Sequence, residues 1–357
     1  MLDRSQSRQG PLLGLRVLEF ASIGPGPHCA MLLADLGAEV IRIEREAGNG
    51  WPNPVVDRGR KRMMLDIRAD AGRERCLELA ENADVLIEGY RPGVMERLGL
   101  GPEQIHERNP RLVYGRMTGW GQTGPLANSA GHDINYLAIT GALAAIGGRG
   151  GPAIPPLNFV GDFGGGSLYL AFGIMAALWE RERSGKGQVV DAAIVDGVSS
   201  MMTFFAGLLP SGVISLERDR NLLSGAAPHY RCYSCADGRE IAIGPLEPHF
   251  FRELMQRIDA PPSLRDGFTD PAVWQEQSEQ LAELFASRTQ AEWCALLEGT
   301  DACFAPVLTL EEAVKHPHMA QRGVYREIDG ALHAAPAPRF SRTPGAIRAS
   351  DNASGWD

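Results

Sequence analysis

Short apolar runs alternate with longer amphipathic stretches through the first two hundred residues. Residues 15–20 form such a run, followed by Gly24-Pro25-Gly26-Pro27, an apolar helical stretch over 29–36 and a second run over 40–43. The order reads strand, helix, strand. Further runs at 63–67, 84–87 and 112–114 are separated by stretches of helical character such as 73–81. Alternation of this kind predicts an α/β domain with a parallel sheet covered by helices. Apolar segments at 168–179, 189–194 and 198–209 carry the same pattern past residue 200, so the large domain is placed at 1–220.

The pattern changes near Asn221. Residues 225–228 and 230–243 predict antiparallel strands with a turn at Asp237-Gly238, and helical spacing follows at 249–258, 273–286 and 290–297. A smaller α+β domain is placed at 221–330. The C-terminal segment, 331–357, is Pro-rich from Pro336 onwards; it is expected to return to the large domain and to be disordered over its last dozen residues. The glycines and prolines of 147–156 mark a mobile loop.

Composition narrows the possibilities. A chain of 357 residues exceeds one comfortable core, and 44% hydrophobic with 22% charged residues is ordinary for a folded protein. The net charge of −9 argues against a nucleic-acid partner, and an anionic ligand would need a local basic patch. The six cysteines show no secreted disulfide framework. Cys232 and Cys235 form a C-x-x-C without the second pair a zinc site needs, and His316-Pro317-His318 has no completing ligands, so no metal is assigned. No apolar stretch reaches the roughly 20 residues needed to span a bilayer, and neither terminus carries an address signal. A cytoplasmic protein without a membrane partner is expected.

The first loop excludes one function class. Strand, Gly-rich turn and helix invite a dinucleotide-binding reading, with Glu44 as the ribose-binding acid, but Gly24-Pro25-Gly26-Pro27 is not G-x-G-x-x-G. Its two prolines remove N–H groups that a pyrophosphate cradle uses. Nearby, Arg42, Arg45, Arg58, Arg60, Lys61 and Arg62 make a cationic region in an acidic protein, either a phosphate site or a solvated basic loop.

Three residues have the chemistry of proton transfer. His132, in Gly131-His132-Asp133-Ile134-Asn135-Tyr136, stands near a helix start; imidazole suits a general base, although a lone histidine is more often structural. Asp162 precedes Phe163-Gly164-Gly165-Gly166-Ser167 and an apolar helix. It reads either as an ordinary N-cap or as a site residue whose neighbouring glycines allow close ligand approach. Glu247, in Gly244-Pro245-Leu246-Glu247-Pro248, reads either as a helix-start acid or as the carboxylate orienting a catalytic imidazole. Met201, Met202, Phe204 and Phe205 line an acyl pocket or simply fill a core.

Taken in order, these segments resemble the α-methylacyl-CoA racemases, a branch of the class III CoA-transferase superfamily. The resemblance runs from Gly14-Leu15-Arg16-Val17-Leu18-Glu19 to Pro338-Arg339-Phe340. It includes Gly89-Tyr90-Arg91-Pro92-Gly93-Val94, Thr118-Gly119-Trp120-Gly121-Gln122-Thr123-Gly124, the His132 hexapeptide, Gly161-Asp162-Phe163-Gly164-Gly165-Gly166 and Ser184-Gly185-Lys186-Gly187-Gln188. Asp162 and the Gly185-Lys186-Gly187-Gln188 segment mark the superfamily, whereas the His132 hexapeptide and the Glu247 loop resemble the racemase branch. One departure is Gly244-Pro245-Leu246-Glu247 where the branch has Gly-Ala-Ile-Glu.

The resemblance implies a homodimer of interlocked chains, each with a Rossmann-like large domain and a small domain, with sites contributed by both chains. It implies a 2-methylacyl-CoA substrate, no metal and no cofactor apart from the coenzyme A of the substrate. Arg45 and Leu65, Asp66, Ile67 and Arg68 would hold the nucleotide of coenzyme A, with Arg91 a weaker candidate. Gly131, Asp133, Ile134, Asn135 and Tyr136 would line the acyl end. His132 and Asp162 would exchange the α-proton on opposite faces, supported by Glu247. Three rivals are a CoA-transferase with Asp162 as nucleophile, a non-catalytic acyl-CoA binder and, last, an NAD-dependent oxidoreductase.

Overall fold

The computed structural model describes residues 9–46, 48, 52–148, 150–265 and 270–356. The chain divides into two compact units: Met1–Thr140, Leu157–Met201 and Pro317–Asp357 form the first, Gly141–Pro156 and Met202–His316 the second.

The first unit is built on a parallel sheet. Its strands are β1 (Arg16–Phe20), β2 (Glu39–Glu44), β3 (Arg60–Met64), β4 (Val85–Glu88), β5 (Val113–Thr118) and β6 (Val189–Ala193). The helices are α1 (Pro25–Asp35), α2 (Asp70–Glu81), α3 (Val94–Arg97), α4 (Pro102–Arg108), α5 (Asp133–Ile139), α6 (Tyr169–Ser184) and α7 (Ile194–Met201). β1 is central and is flanked by β2 on one side and β4 on the other, all parallel. Val17, Leu18, Val40, Ile41, Val85 and Leu86 are buried on both faces, as a sheet covered by helices on each side requires.

The expected strand at 63–67 lies instead at Arg60–Met64, because the basic run is itself a strand. Its charges are consumed by ion pairs. Arg60 is 1% exposed and its Nε lies 2.9 Å from Glu19 Oε2; Arg58 Nε lies 2.9 Å from Asp35 Oδ1, and Lys61 Nζ lies 2.8 Å from Glu39 Oε1. Arg42 is paired with Asp57. Neither a solvated loop nor an open phosphate site describes these four cations. Removing one partner of such a buried pair costs about 3–5 kcal/mol, because the other charge is stranded.

In the second unit, α8 (Thr203–Leu208), α9 (Pro248–Arg257), α10 (Trp274–Phe285) and α11 (Gln290–Leu297) accompany the antiparallel strands β7 (Arg231–Ser234), β8 (Glu240–Ile243) and β9 (Phe304–Pro306). Gly238, at φ 75°, makes the β7–β8 turn at the expected place. Tyr233, Ile241, Phe251, Leu254, Phe285 and Trp293 form its core. The unit takes up the 141–156 segment as well, through the Arg218 guanidinium, which donates to the carbonyls of Ala144 and Gly151 at 2.9 and 2.8 Å.

Residues beyond His316 belong to the first unit. The second unit ends with α12 (Leu310–Lys315), and the first resumes with α13 (Pro317–Gln321), the hairpin β10 (Tyr325–Ile328) and β11 (Ala331–Ala334), and β12 (Asp351–Asn352). Residues 348–356 hold defined contacts instead of the expected disorder. β12 adds to the free edge of β3 as a seventh, parallel strand, Ser350 Oγ donates to the Asp57 carbonyl at 2.6 Å, and Trp356 Nε1 donates to the Leu79 carbonyl at 3.0 Å.

A second difference concerns apolar length. Two continuous helical stretches, Phe159–Ser184 with 26 residues and Ile194–Ser211 with 18, are long and apolar enough to cross a bilayer by length and composition. Asp162 and three glycines interrupt the first in the sequence but not in the structure, where a wide turn continues into α6. One face of α6, with Leu170, Ile174 and Leu178, is buried; the other presents Leu168, Phe172, Met175 and Trp179, of which Phe172 and Trp179 are 73% and 71% exposed.

Candidate active site

In an open parallel sheet, ligands bind beyond the carboxyl ends of the strands. The segments leaving β1, β4 and β5 there enclose a cavity of about 900 Å³. Its walls include Ser22 to Pro25 after β1, Gly89 to Arg91 after β4, and Thr118 to Trp120 after β5. Gly131, His132 and Tyr136 reach it from the start of α5, and Asn158, Asp162 and Phe163 from the segment before α6.

Asp162 lies inside a π-helix, Phe159–Leu168, rather than at the N-cap of α6; the cap residue of α6 is Leu168. Such widened turns are rare and recur at functional sites. Asn158 Nδ2 donates to Asp162 Oδ2 at 3.4 Å, and the Asp162 amide donates to Asp133 Oδ2 at 2.7 Å. Burial raises the pKa of Asp162, and the charge of Asp133 adds to the rise; Asn158 and the His132 imidazole oppose it. Asp162 is therefore a carboxyl group that ionises less readily than an ordinary aspartate.

The glycines after Asp162 serve packing rather than ligand approach. A β-carbon on Gly165 would stand 2.8 Å from the Val198 amide, and one on Gly197 of α7 would stand 1.9 Å from the Gly165 carbonyl oxygen. The two backbones touch, which only glycine permits.

His132 is the N-cap residue of α5, exposed on the cavity wall, with its amide donating to Asn135 Oδ1 at 3.0 Å. Tyr136 holds this loop through its hydroxyl, which donates to the Gly131 carbonyl, and packs edge-on against Trp120 with centroids 4.7 Å apart. Of the hexapeptide, Gly131, His132 and Tyr136 face the cavity. Asp133 is buried, Ile134 is exposed and Asn135 is engaged in the cap.

The expected nucleotide-binding residues follow the same sheet edge, with Arg91 on the cavity wall and the others outside its lining. Arg45 follows β2, is exposed, and its Nε donates to the Gly48 carbonyl at 3.0 Å; its charge is felt by the Tyr90 hydroxyl in the wall. After β3, Leu65 and Ile67 pack against the core while Asp66 and Arg68 form an exposed pair at 3.0 Å. Glu247 is the N-cap of α9 in the second unit, exposed, with its carbonyl accepting from the Phe251 amide at 3.0 Å.

One contributor escaped the sequence reading. Glu88, ending β4, is fully buried; Oε2 accepts from the Tyr90 amide at 2.7 Å and Oε1 from Arg116 Nε at 3.0 Å. Burial pushes its pKa up to about 7. A charged residue closing an apolar strand just before Gly89-Tyr90-Arg91 was the available signal, since such a residue needs partners.

Residues 12–357 match CoA-transferase family III. The chain is 43% identical to the α-methylacyl-CoA racemase of Mus musculus and 41% identical to that of Homo sapiens, each over 93% of this chain and 87% of the relative. Its fold is shared with the crystal structure of a CAIB/BAIF family protein from Brucella suis, with a TM-score of 0.83, 26% identity and 97% of each chain covered. With the parallel sheet, the cavity at its carboxyl edge and this similarity over almost the whole length, the chain belongs to CoA-transferase family III.

Proposed function

We propose that the protein is an α-methylacyl-CoA racemase, interconverting (R)- and (S)-2-methylacyl-CoA thioesters. The observation that carries this reading is a histidine and a partly buried aspartate of raised pKa on one cavity, in a chain more than 40% identical to two racemases. An α-proton next to a thioester is weakly acidic, and inversion needs removal on one face and delivery on the other.

Neutral His132 takes the proton of the (S)-epimer, the electron pair moves into the thioester as an enolate, and protonated Asp162 returns a proton to the opposite face. Imidazolium and carboxylate remain and serve the (R)-epimer in reverse. Asp133 occupies the Gly161 and Asp162 amides, so these two donors are not the ones that receive the enolate oxygen. The acyl-pantetheine arm enters past Arg91, and Arg45 with the Leu65–Arg68 segment takes the nucleotide along the same edge. Coenzyme A is the only cofactor this chemistry uses, and it arrives as part of the substrate.

The exposed stripe of Leu168, Phe172, Met175 and Trp179 fits burial in a homodimer. Contiguous apolar surface of that kind marks an interaction face. In the alternative, suggested by the family's transferase chemistry, Asp162 attacks the thioester carbonyl as a nucleophile.

Proton NMR of the protein with (S)-2-methylacyl-CoA in D2O separates the two. Deuterium at the α-carbon with appearance of the (R)-epimer is expected. Acyl movement onto an added carboxylate without α-exchange selects the transferase.

A further inference from the structure

Asp133 joins the two proton-transfer groups. It follows His132 in the chain, begins α5 and is 8% exposed. Its carboxylate receives the Asp162 amide at 2.7 Å on Oδ2 and the amide of Gly161 as well. A β-carbon on Gly161 would fall 2.4 Å from Oδ2, so the contact leaves no room for a side chain there. Oδ1 is buried and has no hydrogen-bond partner among the described residues.

A helical segment leaves its first amides without internal partners, and orphan N–H groups next to a cavity need an acceptor. Any cap would satisfy that need. Here the acceptor comes from the neighbour of the histidine, on a different element, and it bonds the backbone of the aspartate itself. Two charge-assisted bonds to one buried carboxylate make a short and stiff connection.

Resting on the racemase reading, we propose that Asp133 is a positioning residue, whose carboxylate fixes the Asp162 backbone against the His132 backbone so that the two groups address opposite faces of one α-carbon. Misplacement by about 1 Å costs on the order of 100-fold when two groups must meet one reacting centre. Proton removal by His132 alone does not depend on that register; inversion does.

The test measures α-deuterium entry and inversion together, starting from the (S)-epimer, in the full-length wild type, Asp133→Ala and Asp133→Asn, each at its own pH optimum. Asparagine keeps an acceptor oxygen for both amides and puts its NH2 where Oδ1 makes no bond. In Asp133→Ala, inversion should fall about 30-fold while exchange falls no more than about threefold, and Asp133→Asn should recover inversion to within about fivefold of wild type. Equal loss of exchange and inversion, no loss, or an asparagine variant no better than alanine would overturn the proposal.

If Asp133→Ala does not fold, Asp133→Ser, too short to reach both amides, carries the same expectation. If neither folds, Asp133 belongs to the scaffold and the positioning role is lost. Failure of the racemase reading shows separately, in a wild-type protein that neither exchanges nor inverts.

Discussion

His28 Nδ1 lies 2.7 Å from the Ser167 hydroxyl, linking α1 to the end of the π-helix that carries Asp162. The His28 ring also packs on Phe163, with centroids 4.6 Å apart. Burial, helped by the charges of Arg58 and Arg60, lowers the His28 pKa to about 4. Unfolding frees the imidazole to take a proton between pH 6.5 and 4, so its stabilisation is complete above 6.5 and is lost as pH falls through that window. His28→Asn removes this titration. Urea unfolding at pH 7 and pH 5 should show the stability advantage of wild type over the variant shrinking by on the order of 1 kcal/mol at the lower pH; a constant difference would place the titration elsewhere.

The raised pKa of Asp162 sets a sign for catalysis. Starting from the (R)-epimer, Asp162 must be ionised, so the rate falls as pH drops through its pKa; that acid limb should lie above the ordinary aspartate range. Asp162→Asn should lose inversion by about 10²-fold or more while His132-side exchange persists. Rate–pH profiles of kcat/KM for each epimer check this.

Gly197 is the tightest point of the site's scaffold. Gly197→Ala drives a methyl group into the Gly165 carbonyl and should destabilise the protein by about 2–3 kcal/mol, with lost activity as the π-helix is displaced. Gly207→Ala, with nothing within 4 Å of its new β-carbon, should leave the melting temperature unchanged or slightly higher. Thermal unfolding of the pair separates packing from composition.

Coenzyme A recognition is testable by truncating the substrate. Arg91→Ala and Arg45→Ala should each raise KM about tenfold with kcat little changed, the mark of binding shared by ground and transition states. With a pantetheine thioester lacking the nucleotide, the Arg45→Ala effect should vanish. A surviving effect would assign Arg45 to the acyl arm.

The apolar face of α6 predicts its own assay. Phe172→Glu with Trp179→Glu should turn a dimer into a monomer in sedimentation velocity, because two charges on each chain would be buried unpaired across a contact between copies. An unchanged sedimentation coefficient would leave that face without a second copy on it.

Period and turn chemistry made the strands readable: β1, β2, β4 and β6 lie within a residue or two of their apolar runs, and Asp237-Gly238 turns where such a pair should. His132 and Asp162 were legible as residue types in order, and the structure adds that both meet one cavity. Long-range pairing was hidden. Arg60 looked like part of a basic loop because its partner, Glu19, is 41 positions away. The residue types around Asp162 allowed a cap as well as a site residue, and nothing in Gly161 to Ser167 announces the wide turn that the structure has there. The second unit was placed about twenty residues late because Met202 onwards continues the apolar pattern of α7 without a break in character.

The first unit is written in three pieces, and its outermost strand is among the last residues of the chain. During synthesis β1 to β6 leave the ribosome long before Asp351 and Asn352, so β3 keeps an unpaired edge until those two residues have emerged. The second unit, lying between, is complete by then. Closure of the sheet by β12, with Trp356 seated on Leu79, is thus the last pairing of this sheet to become possible, and an intermediate that lacks it carries a bare strand edge, the kind of surface on which nascent chains pair with one another.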